Sequence, residues 1–102
     1  MNIIKVIRLG EFAERYSRAS ASLKNWRTVT RAAKWESFQD VKATFNTADN
    51  VPVASGRAVV VFNIAGNKFR LITAIHYNLK KVFVLRFLTH AEYSKGKWKE
   101  EL

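Results

Sequence analysis

The chain contains no cysteine. Disulfides and thiolate metal sites are therefore excluded, and nothing requires an oxidising compartment. Long apolar runs are also missing: Lys5 and Arg8 break the N-terminal one, and no stretch approaches the roughly 18 apolar residues of a membrane span. A cytoplasmic protein without membrane association is expected. There is no internal repeat, no low-complexity tract and no linker long enough to divide the chain, so residues 1–102 are expected to form a single domain. Histidine occurs only as His76 and His90, which make no paired-histidine helix motif, and a catalytic zinc site is not expected. Walker loops, dinucleotide glycine fingerprints and Gly-x-Ser-x-Gly elbows are absent. No cofactor is expected. Acids are scarce as well, with 8 Asp plus Glu against 18 Lys plus Arg and a formal net charge of +10.

What is present is enough for a packed core: 48% of the 102 residues are hydrophobic and 13% aromatic. The chain is organised around Ala58 to Tyr93. Ala58 to Ile64 is nearly continuous in apolar, β-branched residues, as in a strand buried on both faces. Ala65-Gly66-Asn67 then reads as a tight turn in which glycine and asparagine take positive φ. It feeds a strand from about Lys68 to Tyr77, and Asn78-Leu79-Lys80 turns into another from Lys81 to Leu88. Strict alternation puts Arg70, Ile72, Ala74 and His76 on one face of the first of these. In the second, Val82, Val84, Arg86 and Leu88 alternate with Phe83, Leu85 and Phe87. If Tyr77 pairs with Lys81, Arg70 falls opposite Leu88 and Arg86 opposite Ile72, with both guanidinium groups on one face.

Before this sheet, Asn2 to Ile7 reads as a short strand, and Leu9, Phe12, Ala13 and Tyr16 have the spacing of an amphipathic helix. After a break near Ser17, a second helix presents Leu23, Trp26 and Ala33 on one side and Lys24, Arg27, Arg31 and Lys34 one residue further round. Trp26 and Trp35 read as packing residues rather than as platforms for bases. Ser37, with Asp40 three residues on, reads as the cap of a third, short helix. Val51-Pro52-Val53 suits an edge segment, since proline cannot donate within a central ladder. The fold class is α+β, with N-terminal helices packed on an antiparallel β-sheet whose other face is left open for a ligand.

Two basic blocks contain no acid. Arg15 to Trp35 holds six basic residues and no acid, and Asn50 to Ala91 holds Arg57, Lys68, Arg70, Lys80, Lys81 and Arg86, also with none. Such blocks point to a polyanion, nucleic acid above all, and to an acidic surface on any protein that neutralises them. Arg70 and Arg86 are costly to bury unpaired and should meet water, a carboxylate such as Glu92, or a ligand.

These residues suit metal-free phosphodiester chemistry. RNA is cut by its own 2′-hydroxyl once that group is deprotonated, the phosphate is stabilised and the 5′ oxygen is protonated. A guanidinium fork matches phosphate oxygens. Histidine, with an ordinary pKa of about 6.5, suits proton transfer, and tyrosine or lysine serves where the site shifts it. His90, Glu92, Tyr93 and Lys95, just beyond Arg86, are the candidates. A plainer reading has His90 only at the start of the short helix that Thr89 begins.

Val61-Phe62-Asn63-Ile64, Gly66-Asn67-Lys68-Phe69-Arg70-Leu71-Ile72, Phe83-Val84-Leu85-Arg86-Phe87 and Thr89-His90-Ala91-Glu92-Tyr93 together resemble the HigB-type mRNA interferase toxins of bacterial type II toxin–antitoxin modules. Leu9 to Tyr16, Leu23 with Trp26, and Ala33-Lys34-Trp35 followed by Asp40-Val41-Lys42 resemble the helical region of that family. The resemblance implies a RelE-like fold and a ribosome-dependent endoribonuclease that cleaves translated mRNA in the ribosomal A site. It further implies a HigA-type antitoxin with a helix-turn-helix domain, encoded beside the toxin. On that pattern Arg70 and Arg86 hold the scissile phosphate and His90 and Tyr93 transfer protons. Asn67, which also shapes the turn, lies with Lys68, Arg57 and Lys95 against the RNA. The family commonly has glycine before Thr-His and aspartate after Glu-Tyr; here those places hold Leu88 and Ser94. The charge blocks by themselves fit a non-catalytic RNA- or ribosome-binding module equally well. A purely structural interaction domain leaves the strand arginines and His90 without a reason.

Overall fold

The computed structural model describes residues 1–102. Strand β1 (Asn2–Ile4) leads into helix α1 (Ile7–Arg15), a single 3-10 turn (Ser17–Ala19), helix α2 (Ser20–Ala32) and helix α3 (Phe38–Thr44). Strands β2 (Asp49–Pro52), β3 (Ala58–Ile64), β4 (Phe69–His76) and β5 (Lys81–Thr89) follow, and two short helices, α4 (His90–Lys95) and α5 (Trp98–Glu101), end the chain. The result is an α+β architecture with one sheet of order β1-β5-β4-β3-β2. The meander β2-β3-β4-β5 is antiparallel throughout, whereas β1 adds at the far edge parallel to β5, making the sheet mixed. No helix is long and apolar enough to cross a membrane.

One face of the sheet carries the main core. Val60, Phe62, Ile64, Phe69, Leu71, Val82, Val84 and Phe87 pack there with Leu9, Leu23, Trp26, Trp35 and Val41 from the helical layer. Leu23 and Trp26 face inward from α2 as the periodicity requires, with Thr30 completing the buried stripe; Ala33 lies just past the helix end. Both Trp26 and Trp35 are buried core residues. Behind the end of the sheet that carries Arg70, Phe87 stacks on Phe12 of α1 at 5.1 Å and on Phe69 of β4 at 5.2 Å. Offset aromatic contacts of this kind add to the burial of the rings themselves.

The pairing of β4 with β5 departs from simple alternation. At the turn it is His76, not Tyr77, that pairs with Lys81, because Tyr77–Leu79 forms a 3-10 turn closed by Lys80 at φ 55°. From there Thr73 pairs with Val84, but Ile72 pairs with Arg86, so Leu85 is an extra residue. This is a β-bulge. It restores Arg70 opposite Leu88, the register expected from a different starting pair. Val82, Val84 and Phe87 consequently all reach the helix-side core, and strict alternation fails at Phe87. Without the extra residue, serving the core with both valines and Phe87 while turning Arg86 away would be impossible.

Two other local expectations are corrected. In the β3–β4 turn the positive φ values belong to Ala65 (54°) and Gly66 (68°), not to Asn67. Ser37 stands at the start of α3 but its side chain caps nothing; Asp40 instead accepts the Glu36 N–H at 2.8 Å. The helix after β5 is the better-capped one. There the Thr89 hydroxyl accepts from the Glu92 N–H and the Glu92 carboxylate accepts from the Thr89 N–H, a full capping box.

The second face is not wholly open. Trp98 of α5 lies across it, buried with Val51, Val53, Val59, Val61 and Ile72, and Leu85, Leu88, Tyr93 and Leu102 pack around them. An apolar patch of that size left in water would favour closure by the only large aromatic side chain of the C-terminal segment beyond Tyr93. Trp98→Ala is expected to lower the unfolding free energy by about 3 kcal/mol. In a urea titration this reads as a lower midpoint at an unchanged slope; a midpoint equal to that of the parent would show that Trp98 is not part of the core.

Candidate active site

The site is built where the ends of β4 and β5 meet the β3–β4 turn and α4. Arg70 is the central side chain, on β4, and only 8% exposed. Burying a guanidinium is costly unless its donors are used. Here Nη1 donates to the backbone oxygens of Asn67 (3.0 Å) and Phe69 (3.1 Å), and Nη2 donates to the Asn67 side-chain oxygen and approaches His90 Nδ1 at 3.3 Å. All of these partners are neutral acceptors. The positive charge is thus positioned and partly desolvated without being compensated by a carboxylate, and Glu92, the expected alternative partner, is engaged in its capping box.

Asn67 therefore acts as a clamp on Arg70 rather than as the residue that turns the chain. His90 reaches the site because α4 starts directly after β5, and its backbone N–H donates to the Lys68 oxygen at 2.9 Å. This bond ties α4 to the β3–β4 turn. Tyr93 follows nearly one helical turn later, with the Arg70 guanidinium carbon 5.3 Å from its ring centroid. Trp98 stacks on the same tyrosine at 5.2 Å and donates its indole N–H to the Tyr93 backbone carbonyl at 3.1 Å. Cation–π contact and stacking together fix a ring that one hydrogen bond would leave free to swing.

Burial, and then the Asp49 carboxylate, push the Tyr93 phenol above its ordinary value, while Arg70 acts the other way. Asp49 begins β2 and acts after burial in holding the proton on this phenol, a residue that spacing did not single out. The nearby Trp98 was missed too. Its signal was available as a lone tryptophan in the charged segment Lys97-Trp98-Lys99-Glu100.

Arg86 shares the face of Arg70, since it pairs with Ile72, which lies two residues along the strand from Arg70. Diagonal positions of this kind are about 7–8 Å apart at their Cα atoms. Its guanidinium turns toward the outer edge of β5, donating to the Leu85 oxygen at 2.9 Å, beside Arg8 of α1, which donates to the same oxygen at 3.0 Å. β1 covers β5 only from Lys81 to Phe83. Arg8 takes over further along the edge, binding carbonyls that the bulge leaves without a strand partner. Lys68 and Lys95 are exposed beside the cluster, in the turn and in the last turn of α4. Arg57 is separated from it. It precedes β3, whose far end carries Asn63 opposite Arg70, so six residues of strand, roughly 20 Å, lie between them. Leu88 packs against the second core, as Tyr93 does, and Ser94 is exposed on α4. No group of three or more His, Cys, Asp or Glu side chains gathers in the structure.

A phenol with a raised pKa stays protonated longer in the folded chain than in the unfolded one. Its contribution to stability is full below the ordinary value of 10.0 and is lost as pH rises through the higher folded value. Alkaline denaturation should accordingly begin later in pH for Tyr93→Phe than for the parent, and absorbance titration of the folded parent should show two late phenols, Tyr77 and Tyr93, of which the variant keeps only Tyr77. Equal titration curves would remove Tyr93 from its buried position.

The family described as HigB_toxin, RelE-like toxic component of a toxin–antitoxin system, matches residues 19–96. That span includes Arg70, Arg86, His90 and Tyr93 and stops short of Trp98. Similar relatives are the mRNA interferase toxin HigB of Escherichia coli (strain K12) and the mRNA interferase HigB proteins of Escherichia coli O157:H7 and Shigella flexneri. Each is 25% identical over 93 residues, covering 91% of this chain and 88% of the relative. With most of its length matched and an α+β sheet compatible with that fold, the chain belongs to the HigB toxin family, the RelE-like toxic components of toxin–antitoxin systems.

Proposed function

We propose that this chain is an mRNA interferase, an endoribonuclease that cleaves translated mRNA in the ribosomal A site, without a metal, by attack of the 2′-hydroxyl on the adjacent phosphate. The observation that carries the reading is Arg70: a nearly buried cation held by neutral acceptors and flanked by a histidine and a tyrosine. A charge so placed is ready for an anion that forms more negative charge in the transition state. Arg70 holds the scissile phosphate. Arg86, half-buried on the same face, needs only to leave its own strand's carbonyl to join it. Tyr93, kept protonated, and His90 are the groups for proton transfer to the 5′ oxygen. Asn67, Lys68 and Lys95 line the path of the RNA around them; Arg57, at the opposite end of β3, meets RNA only outside this cluster.

Dependence on the ribosome is supported by the distribution of cations. Lys24, Arg27 and Arg31 are exposed along α2, in the helical layer on the opposite side of the sheet from Arg70. A chain with phosphate-binding groups on two sides suits a substrate embedded in folded RNA. The partner that neutralises the toxin is an antitoxin, proposed to be of the HigA type with a helix-turn-helix domain and encoded by the neighbouring gene. The place of action is the cytoplasm, where ribosomes and mRNA are.

Primer extension on a defined mRNA, with and without translating ribosomes, tests this. The parent chain should produce cuts only with ribosomes. Arg70→Ala and His90→Ala should reduce them by about 10²-fold or more, with ribosome association largely retained for His90→Ala. Ribosome association without cuts at any concentration would replace the nuclease with a binding module; cuts in naked RNA at the same rate would remove the dependence on the ribosome.

A further inference from the structure

Transfer of the 2′-hydroxyl proton requires a free acceptor, and the acceptors gathered round Arg70 are already engaged. A guanidinium has no acceptor atom, so Arg70 and Arg86 are excluded. His90 Nδ1, 3.3 Å from Arg70 Nη2, must accept from that guanidinium, which selects the Nε2–H tautomer and leaves a second donor as the free end of the ring. Tyr93 holds its proton more tightly than an ordinary phenol. Glu92 accepts the Thr89 N–H at 2.9 Å, and removing it from that role would uncap α4.

Building on the function proposed above, we propose that Asp49 is the catalytic base, the group that takes the proton from the 2′-hydroxyl of the bound RNA. Its place follows from the sheet. Asp49 pairs with Val61, Val61 with Ile72, and Ile72 with Arg86. Paired residues share a face, so the carboxylate stands on the same side as Arg70 and Arg86, at the opposite end of Arg86's cross-strand row. Three strand spacings, roughly 14 Å, separate the backbones at the two ends of that row. Arg70 lies in the adjacent row between them, and Tyr93 reaches over from α4. Asp49 is exposed, and it is the single acid between Asp40 and Glu92. In a chain with so few carboxylates, one on the face that gathers the arginines opposes anion binding unless it has work there. Its effect on the Tyr93 phenol shows that the two groups sense each other.

The step balances with these groups alone. Asp49 takes the proton as the 2′ oxygen bonds to phosphorus, while Arg70 and Arg86 hold the non-bridging oxygens. The bond from phosphorus to the 5′ oxygen breaks, and that oxygen takes a proton from the Tyr93 phenol. The products are a 2′,3′-cyclic phosphate and a 5′-hydroxyl end. Solvent then returns the proton from Asp49 to the donor.

The test compares the parent chain with Asp49→Asn and Asp49→Glu, measuring cleavage of ribosome-bound mRNA and co-sedimentation with ribosomes on the same samples. Asp49→Asn should cut about 10²-fold or more slowly while co-sedimenting like the parent, and Asp49→Glu, which keeps the carboxylate, should cut faster than Asp49→Asn. If circular dichroism shows that Asp49→Asn has not folded, Asp49→Ser is judged by the same criterion. An asparagine variant that cuts within about threefold of the parent, far less than loss of a general base, overturns the assignment. So does one whose ribosome association falls in step with its cutting. A parent chain that associates with ribosomes and cuts nothing overturns the nuclease reading itself, and Asp49's role falls with it.

Discussion

Strand β5 has to satisfy two layers at once. Val82, Val84 and Phe87 belong to the core under the helices, while Arg86 and Leu88 belong to the other face. Period-two alternation cannot meet both demands, because Val84 and Phe87 are an odd number of residues apart. The extra residue at Leu85 resolves the conflict with a bulge, and much else depends on it. It sets the row in which Arg86 lies, puts Leu88 opposite Arg70, and frees the carbonyls that Arg8 binds from α1. Beyond it, β5 delivers Thr89 to the place where a capping box can start α4.

From that point the site is assembled by short-range links. The His90 N–H on the Lys68 oxygen joins α4 to the β3–β4 turn. Asn67 in that turn clamps Arg70, and Arg70 lies against Tyr93. Trp98 holds the tyrosine from the C-terminal side while sealing the second core. One aromatic side chain therefore serves both the second core and the placement of Tyr93, so the two are not independent at this position. On the reverse of the sheet, the stack of Phe12, Phe87 and Phe69 stiffens the same strand ends. An Arg70 charge left without a carboxylate is tolerated because its hydrogen bonds are made and its surroundings are rigid.

Electrostatics give the chain two characters. Exposed cations on α2 and around the β3–β4 turn act through long-range attraction to polyanions, which salt screens. Arg70 acts at contact distance, where partial burial lessens the screening. Asp49 is the exception in sign, and its isolation among cations makes its position on the sheet informative.

The element order was legible in the amino-acid sequence for simple physical reasons. Apolar residues at period two between turn residues mark β3, β4 and β5, helical periodicity marks α1 and α2, and Thr89 with Glu92 marks α4. Arg70, Arg86, His90 and Tyr93 could also be picked out as candidates, because charge in a strand and a histidine just past it are unusual; the fold brings Arg70, His90 and Tyr93 together. Composition set the net positive charge. The tertiary structure decided what depends on contacts between distant segments. It placed the bulge at Leu85, where two cores compete for one strand, and it separated Arg57 from the cluster by the length of β3. It turned Asn67 into a clamp, added β1 in parallel, closed Trp98 over the second face, and brought Asp49, from a short edge strand, onto the face of the arginines. Local spacing records what one segment prefers; which segments meet, and in what register, is settled only when all of them are buried together.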